Sequence, residues 1–298
     1  MPLTVDAVGH TIPSVVHDVD SRWLMAYAAS VGALDDAYLD TRRPGGVVGH
    51  PLFPVCVEWP AVLAVRDLLA AHGLTSAEAA HGVHLNHDLR LARLVRSGDR
   101  LSTTATIAGV TTHRAGGLID LDLVTTDADG AEVARTRMGT LYRQVACLGA
   151  DRPAEELPPL GEGTAPPVAA ATSVHHQLGG GTAHLYSECS RIWNPIHTDA
   201  RTAARAGLPG IILHGTATLA MAVNDVLADL DAEPGRVRRI RVRFGAPAPL
   251  PSALEVRMLG RSAGGDVAWF DAVSPGGQPV LRHGAIAVGP TGAGSGRP

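Results

Sequence analysis

The sequence predicts an α+β protein of two tandem units, each a long apolar helix wrapped by an antiparallel sheet, and three observations predict it. The stretch from Ile211 to Leu230 (IILHGTATLAMAVNDVLADL) is apolar on nearly every face over its first turns, as in a helix buried on all sides. Segments with strand periodicity follow it: in Arg239 to Phe244, residues Ile240, Val242 and Phe244 alternate with Arg239, Arg241 and Arg243. The same order, one helix and then several strands, runs through the first half, the signature of a repeated fold unit.

Along the chain, the first unit has its helix at Pro60 to His72 (PAVLAVRDLLAAH), with Pro60 in the first turn, where a missing amide is tolerated. Strands follow near Leu89 to Leu94, Leu101 to Val110, Leu118 to Thr125 and Val133 to Tyr142. The segment Gly149 to Thr172 (GADRPAEELPPLGEGTAPPVAAAT) has neither period and reads as an exposed linker. The second unit carries the helix at Ile211 to Leu230 and strands at Arg239 to Phe244, Leu254 to Met258, Val267 to Val273 and Pro279 to Val288. The division is therefore 1–148, a linker at 149–172, and 173–298, each unit of ordinary domain size. Nothing else in either half is large enough to cover an apolar helix, so each sheet must curve round its own. Periodicity leaves open whether the two sheets are one.

A chain of 298 residues with 45% hydrophobic and 18% charged residues can bury a real core. Its net charge of −4 excludes a general attraction to nucleic acid or to an anionic membrane, and leaves room for a local basic patch that meets a phosphate-bearing small molecule. Three scattered cysteines, Cys56, Cys147 and Cys189, make neither a disulfide framework nor a paired metal site, and fit buried thiols in a reducing compartment. With no signal-peptide pattern at the start and no long apolar run later, the expected location is the cytoplasm. Abundant Ala, Gly, Arg and Pro with little Lys points to a high-GC bacterial source.

No phosphate loop, nucleophile elbow or dinucleotide fingerprint is present, and GGG at 179–181 lacks a flanking strand and helix and reads as a turn. His81, His84 and His87 lead into a strand, where a spacing of three scatters side chains over both faces, so no metal site is expected there. His175 and His176 adjoin the linker and are expected to be exposed. The arginines at 236, 238, 239, 241 and 243 read first as a solvated strand face. Arg241 and Arg243 are candidates to grip the phosphates of a charged carrier.

The segment RIWNPIHTDA (191–200) concentrates the chemistry. Pro195 fixes its own φ and pushes Asn194 away from the helical region, so the loop is rigid and its polar side chains have set directions. A neutral imidazole titrates near cellular pH, which suits His197 to proton transfer, with Asn194 placed to bind water or steady the ring. Capping the next helix explains the same residues, and Asp199 fits that role best. Downstream, Leu213-His214-Gly215-Thr216 opens the apolar helix. Bare amides at the positive end of its dipole suit a developing oxyanion, and a packing role for Gly215 is the other reading.

Taken together, residues Ser190 to Gly215 (SRIWNPIHTDARTAARAGLPGIILHG) closely resemble the motif of the MaoC-like dehydratases, which include the (R)-specific enoyl-CoA hydratases. Ser190, Asn194, Pro195, His197, Asp199, Gly207, Leu213, His214 and Gly215 stand at matching positions. HPLFPVC (50–56) and HLNHDLRLARLVRSGDRL (84–101) look like the degenerate first unit of two-unit members. The resemblance implies a double hot-dog fold with one site, in the second unit. It implies reversible addition of water to a 2-enoyl thioester carried on coenzyme A or phosphopantetheine, with no further cofactor and no metal. His197 would be the acid–base, Asn194 its support and the Gly215 amide the donor to the thioester carbonyl. Ile192, Trp193, Ser190, His214 and Thr216 would surround the substrate. A degenerate first unit implies a pocket widened for a bulky or ring-bearing acyl group, and homodimers are common among relatives.

The pattern breaks at two places: the family's catalytic Asp falls on Ile192 and the preceding Gly on Arg191. Losing one partner of an acid–base pair removes about 10² to 10⁴ of rate. Three readings follow. The protein remains a hydratase or dehydratase, with His197 acting alone or with Glu188 or Asp199. Or, with Ile192 and Trp193 drying the site, His197 and Gly215 run a water-free isomerisation, elimination or ring-closing conjugate addition. Or the chain binds acyl thioesters without catalysis or serves as a structural partner of an active subunit.

Overall fold

A computed structural model describes residues 3–160 and 172–290. The first unit runs β1 (Leu3–Thr4), β2 (Val15–Asp18), α1 (Ser21–Ser30), α2 (Asp36–Leu39), α3 (Pro54–Ala71), α4 (Ser76–Ala79), β3 (Gly82–Leu91), β4 (Arg100–His113), β5 (Gly116–Thr126), β6 (Glu132–Arg143) and β7 (Cys147–Leu148). The second runs β8 (Thr172–Leu178), α5 (Thr182–Ser190), α6 (Ala200–Arg205), β9 (Ile212–Leu213), α7 (Gly215–Leu230), β10 (Val237–Phe244), β11 (Ala248–Pro249), β12 (Ser252–Arg261), β13 (Val267–Val273) and β14 (Pro279–Val288).

The two sheets are one. Ten strands lie in the order β2-β4-β5-β6-β3-β10-β14-β13-β12-β8, so each unit supplies five in mirrored order and the halves join where β3 pairs antiparallel with β10. The two long helices, α3 and α7, pack on the inner face. Helix α7 buries Ala217, Leu219, Ala220, Val223 and Val226 completely or nearly so. Each Leu or Val contributes about 1.5–3 kcal/mol on burial. One apolar core runs through both halves, and a second fills the first unit around Val62, Val65 and Leu69 of α3.

Three boundaries differ from the sequence reading. Helix α3 begins at Pro54, and Pro60 stands inside it. Either proline fits a first turn, but the buried run Val55-Cys56-Val57 extends the helix back to Pro54, at the cost of the one amide that Pro60 cannot offer. Strand β3 starts at Gly82 and takes in His84 and His87. The glycine run at 179–181 does link a strand, β8, to a helix, α5. The sequence reading found neither of these, nor β2 and α1.

The linker is strapped to the outer face of the sheet. Val110 and Arg152 exchange two backbone hydrogen bonds of 2.9 Å, Arg137 donates to the Glu155 carbonyl and Arg239 to that of Pro158. Leu160 is then buried against Val267, Trp269 and Ala285. Of the expected linker, residues 161–171 lie outside the described residues. His176, expected to be exposed, is half-buried and pairs with Asp225 of α7 at 2.7 Å.

The interior holds an unusual number of imidazoles. Burial lowers the pKa of His50, His87 and His197 to about 4 and that of His214 to about 2, and it carries His84 well below its ordinary value. All five stay neutral while folded, whereas the unfolded chain takes up their protons below pH ~6.5. Their contribution is fully present above that pH and is lost as pH falls, approaching about 1.4 kcal/mol per histidine per pH unit. Glu58, raised to about 7 by burial, works in the opposite direction as a single group. Denaturant titrations should therefore show stability dropping steeply between pH 7 and pH 5, and His50→Gln should make the slope shallower. A flat profile over that range would contradict the neutral assignment.

Candidate active site

The site gathers at the N-terminal end of α7, and each wall comes from a different element. Helix α5 ends at Ser190, whose hydroxyl donates to the Tyr186 carbonyl at 2.6 Å and accepts from the Ile192 amide at 3.2 Å. Ser190 is fully buried and occupied with the backbone, so it holds the turn and does not face a substrate. Arg191 follows at φ 59°, ψ 28°, the left-handed conformation that glycine adopts most easily, and its guanidinium lies 3.8 Å over the Trp23 ring of α1. That turn directs Ile192 into the core, where it is 6% exposed, and leaves Trp193 59% exposed.

The loop then closes into a short 3-10 turn, Pro195–His197. The His197 amide donates to the Asn194 carbonyl at 3.1 Å, while the Asn194 side chain makes no capping bond. Among the described residues no hydrogen bond joins the Asn194 side chain to the His197 ring. The carbonyl of Ile212 steadies the ring: it lies 2.9 Å from His197 Nδ1, and because a carbonyl only accepts, Nδ1 carries the proton and Nε2 has the free lone pair. Ile212 is fixed in turn by pairing of β9 with β11, Leu213 opposite Ala248 and Ile212 opposite Pro249. A main-chain carbonyl has no sequence signature, which is why this orienting group was missed.

His214 stacks on His197 with ring centroids 3.7 Å apart and planes at 24°. Its Nε2 lies 3.2 Å from Ser187 Oγ and 3.4 Å from the Ile192 carbonyl, and its buried Nδ1 has no partner among the described residues. Burial and the facing His197 hold it neutral. Tyr186 donates to Thr216 Oγ1 at 2.9 Å, so Thr216 faces the interior hydroxyl of α5.

Gly215 is the first residue of α7, where amides have no carbonyl a turn earlier and the dipole is positive. A Cβ there would lie 2.9 Å from two carbons of the Phe244 ring, so glycine also lets β10 close on the helix start. Phe244 points inward with Ile240 and Val242. Arg241 and Arg243 are exposed on the opposite face of β10, away from His197, and carry no contact with the site. Asp199 caps α6, accepting from the Thr202 amide at 2.6 Å, and Glu188 is exposed. Among the described residues, no carboxylate hydrogen-bonds His197, and no three of His, Cys, Asp and Glu are placed to hold a metal ion.

Comparison with known proteins identifies relatives of both halves of the chain. Residues 168–264 match the MaoC-like domain family, and residues 6–136 match the FAS1-like dehydratase domain region. The chain is 27% identical over 273 residues to 3-hydroxyacyl-thioester dehydratase X of Mycobacterium tuberculosis, covering 90% of this chain and 85% of that one. The crystal structure of a MaoC-like dehydratase from Phytophthora capsici superposes with a TM-score of 0.82 at 20% identity, covering 98% of this chain and 99% of that one. A Mycobacterium tuberculosis protein described as having a double hot-dog fold superposes with a TM-score of 0.59 at 18% identity, over 94% and 95% of the two chains. The fold is the double hot-dog.

Gly215→Ala should cost about 1–3 kcal/mol through the Phe244 clash. Thermal denaturation checks this, and adding Phe244→Leu should recover most of the loss. Independent, additive effects of the two changes would rule out the contact as the cause.

Proposed function

We propose that this MaoC-like double hot-dog protein, with its MaoC-like dehydratase domain behind a FAS1-like dehydratase region, is a hydro-lyase that interconverts 3-hydroxyacyl and 2-enoyl thioesters on coenzyme A or a phosphopantetheine carrier. The observation that carries the reading is the pairing of a buried, neutral His197, its Nε2 lone pair free, with the open amide end of α7 at Gly215.

In the dehydration direction the thioester carbonyl accepts from the Gly215 amide, and the helix dipole stabilises the charge that develops on oxygen. His197 Nε2 takes the α-proton as the C–H electrons form the double bond and the C–O bond to the β-hydroxyl breaks. The same imidazolium then protonates the departing hydroxide, so water leaves from the face on which His197 stands. Hydration is the reverse. The Ile212 carbonyl supports the imidazolium through Nδ1. With no carboxylate bonded to His197, one group handles both proton transfers. A low site pKa, about 4, makes His197 a weak base, and the oxyanion contact must supply more of the rate.

The buried side chain of Ile192 favours one competing reading, a water-free isomerisation, elimination or conjugate addition in the same pocket. Purified protein with crotonyl-CoA and a longer 2-enoyl-CoA, followed by loss of the enoyl-thioester absorbance, separates the two. Turnover that falls at least about 10²-fold in His197→Ala supports the hydro-lyase. Under that reading Ile192→Asp keeps or raises turnover and solvent ¹⁸O enters the 3-hydroxyacyl product. Acyl-CoA binding without turnover, unchanged in His197→Ala, would leave a binding protein.

A further inference from the structure

Against Phe244, on β3, lies a polar patch of the interior that the chemistry above does not use. The His84 ring is 4.5 Å from that of Phe244 and 5.3 Å from that of His87. Residues three apart on a regular strand point to opposite faces, but a bulge between His84 and Asn86 brings both imidazoles to the inner one. His87 is 1% exposed, and neither of its ring nitrogens has a hydrogen-bond partner among the described residues. His84 donates through Nε2 to the Asn86 carbonyl at 3.1 Å, which leaves Nδ1 as an acceptor. His87 stands opposite Val242 on one side and Met138 on the other. Thr136, one inward position from Met138, donates at 2.6 Å to Glu58 of α3, itself only 3% exposed. Trp59, His84 and Met138 beside it are half-buried.

A buried imidazole with both nitrogens unpaired costs the fold free energy and gains it nothing, which calls for a partner from outside the chain. We propose that His87 and His84 receive a hydroxyl or keto oxygen carried on the acyl chain, so that the protein selects oxygenated acyl thioesters over plain hydrocarbon ones. This specificity rests on the acyl-thioester reading of the site. A neutral imidazole offers one donor and one acceptor, the complement of an uncharged oxygen. Burial keeps both rings neutral, and Arg66, the cation at the rim, stands over the Trp59 ring. A hydrocarbon chain would leave His87 unpaired, and a site built to hydrogen-bond an oxygen discriminates through that penalty. Phe244, in contact with both the Gly215 position and the His84 ring, stands between the helix start and the β3 imidazoles in this contact sequence, so the oxygen belongs further along the chain than the reacting carbons.

The test is equilibrium binding of saturated, unreactive medium-chain acyl-CoAs, with and without a chain hydroxyl, to the full chain and to His87→Leu and His87→Gln, alongside turnover of the matching 2-enoyl-CoAs. Wild type should bind the best-placed hydroxyacyl-CoA about tenfold more tightly than its hydrocarbon counterpart. His87→Leu should lose that preference with no fall in thermal midpoint, and His87→Gln, which keeps a donor and an acceptor, should retain part of it. Equal affinities in wild type, or a preference undiminished in both variants, would overturn the proposal. Preference without turnover counts against the hydro-lyase and leaves the pocket standing; turnover without preference does the reverse.

Discussion

The antiparallel seam between β3 and β10 is the constraint on which the rest depends. It runs from Arg239 opposite Arg90 to Arg243 opposite Asn86. A bidentate pair locks it: Arg239 meets Asp88 through two bonds of 2.7 Å, with only 11% and 9% of the two side chains exposed, and a third donor of Arg239 holds the Pro158 carbonyl of the linker. Strand side chains alternate with period two, so a slip of one residue would turn Ile240, Val242 and Phe244 outward. Phe244 would leave Gly215, and the inner face of β10 would lose its match with Leu89 and His87. The seam therefore fixes more than the union of the two halves. It sets the relation between the start of α7 and the β3 imidazoles.

From that frame, the reactive geometry is assembled largely by main chain. The left-handed turn at Arg191 aims Ile192 inward, the 3-10 turn at Pro195 presents His197, and the β9–β11 bridge places the carbonyl that sets its tautomer. The first unit takes part through α1, whose Trp23 carries the Arg191 guanidinium and whose Tyr27 ring lies 5.8 Å from Tyr186. The first unit thus braces the loop of the second.

How much of this could be read in the sequence follows from the kind of signal each element carries. The tandem α+β plan was visible because α7 and strands such as β10 have strong periods, and the NPIH loop and helix-start glycine because proline and glycine act locally. Helices α1 and α5 were missed: their apolar residues mix with Ser, Cys and His, and they bury mainly against each other across the two units. The Ile212 carbonyl was invisible for want of a side chain. Arg241 and Arg243 were correctly placed on a solvated strand face, but which side of that strand faces the site depends on tertiary packing. The β3 histidines were misjudged because one bulge, unmarked in composition, reversed the parity of their spacing.

These histidines bring the fold's economy into question. An apolar residue at His87 would pack against Val242 and Met138 without an orphaned donor or acceptor, and a Leu or Met at Glu58 would remove a carboxyl whose pKa burial has raised to about 7. Natural sequences depart from such local rules at functional positions, where a stability loss is offset by what the group does. Four of the interior imidazoles are linked by contact, whereas His50 stands apart against Asn224 of α7. His197 stacks on His214, the residue before Gly215, and Phe244 meets the Gly215 position as well as the His84 ring, which lies beside His87, so these four imidazoles are connected through Gly215 and Phe244. The proposed oxygen site at His87 requires that an acyl thioester whose carbonyl meets the α7 amides also carry its chain past Phe244 to the β3 imidazoles, which ties the two pairs to one ligand.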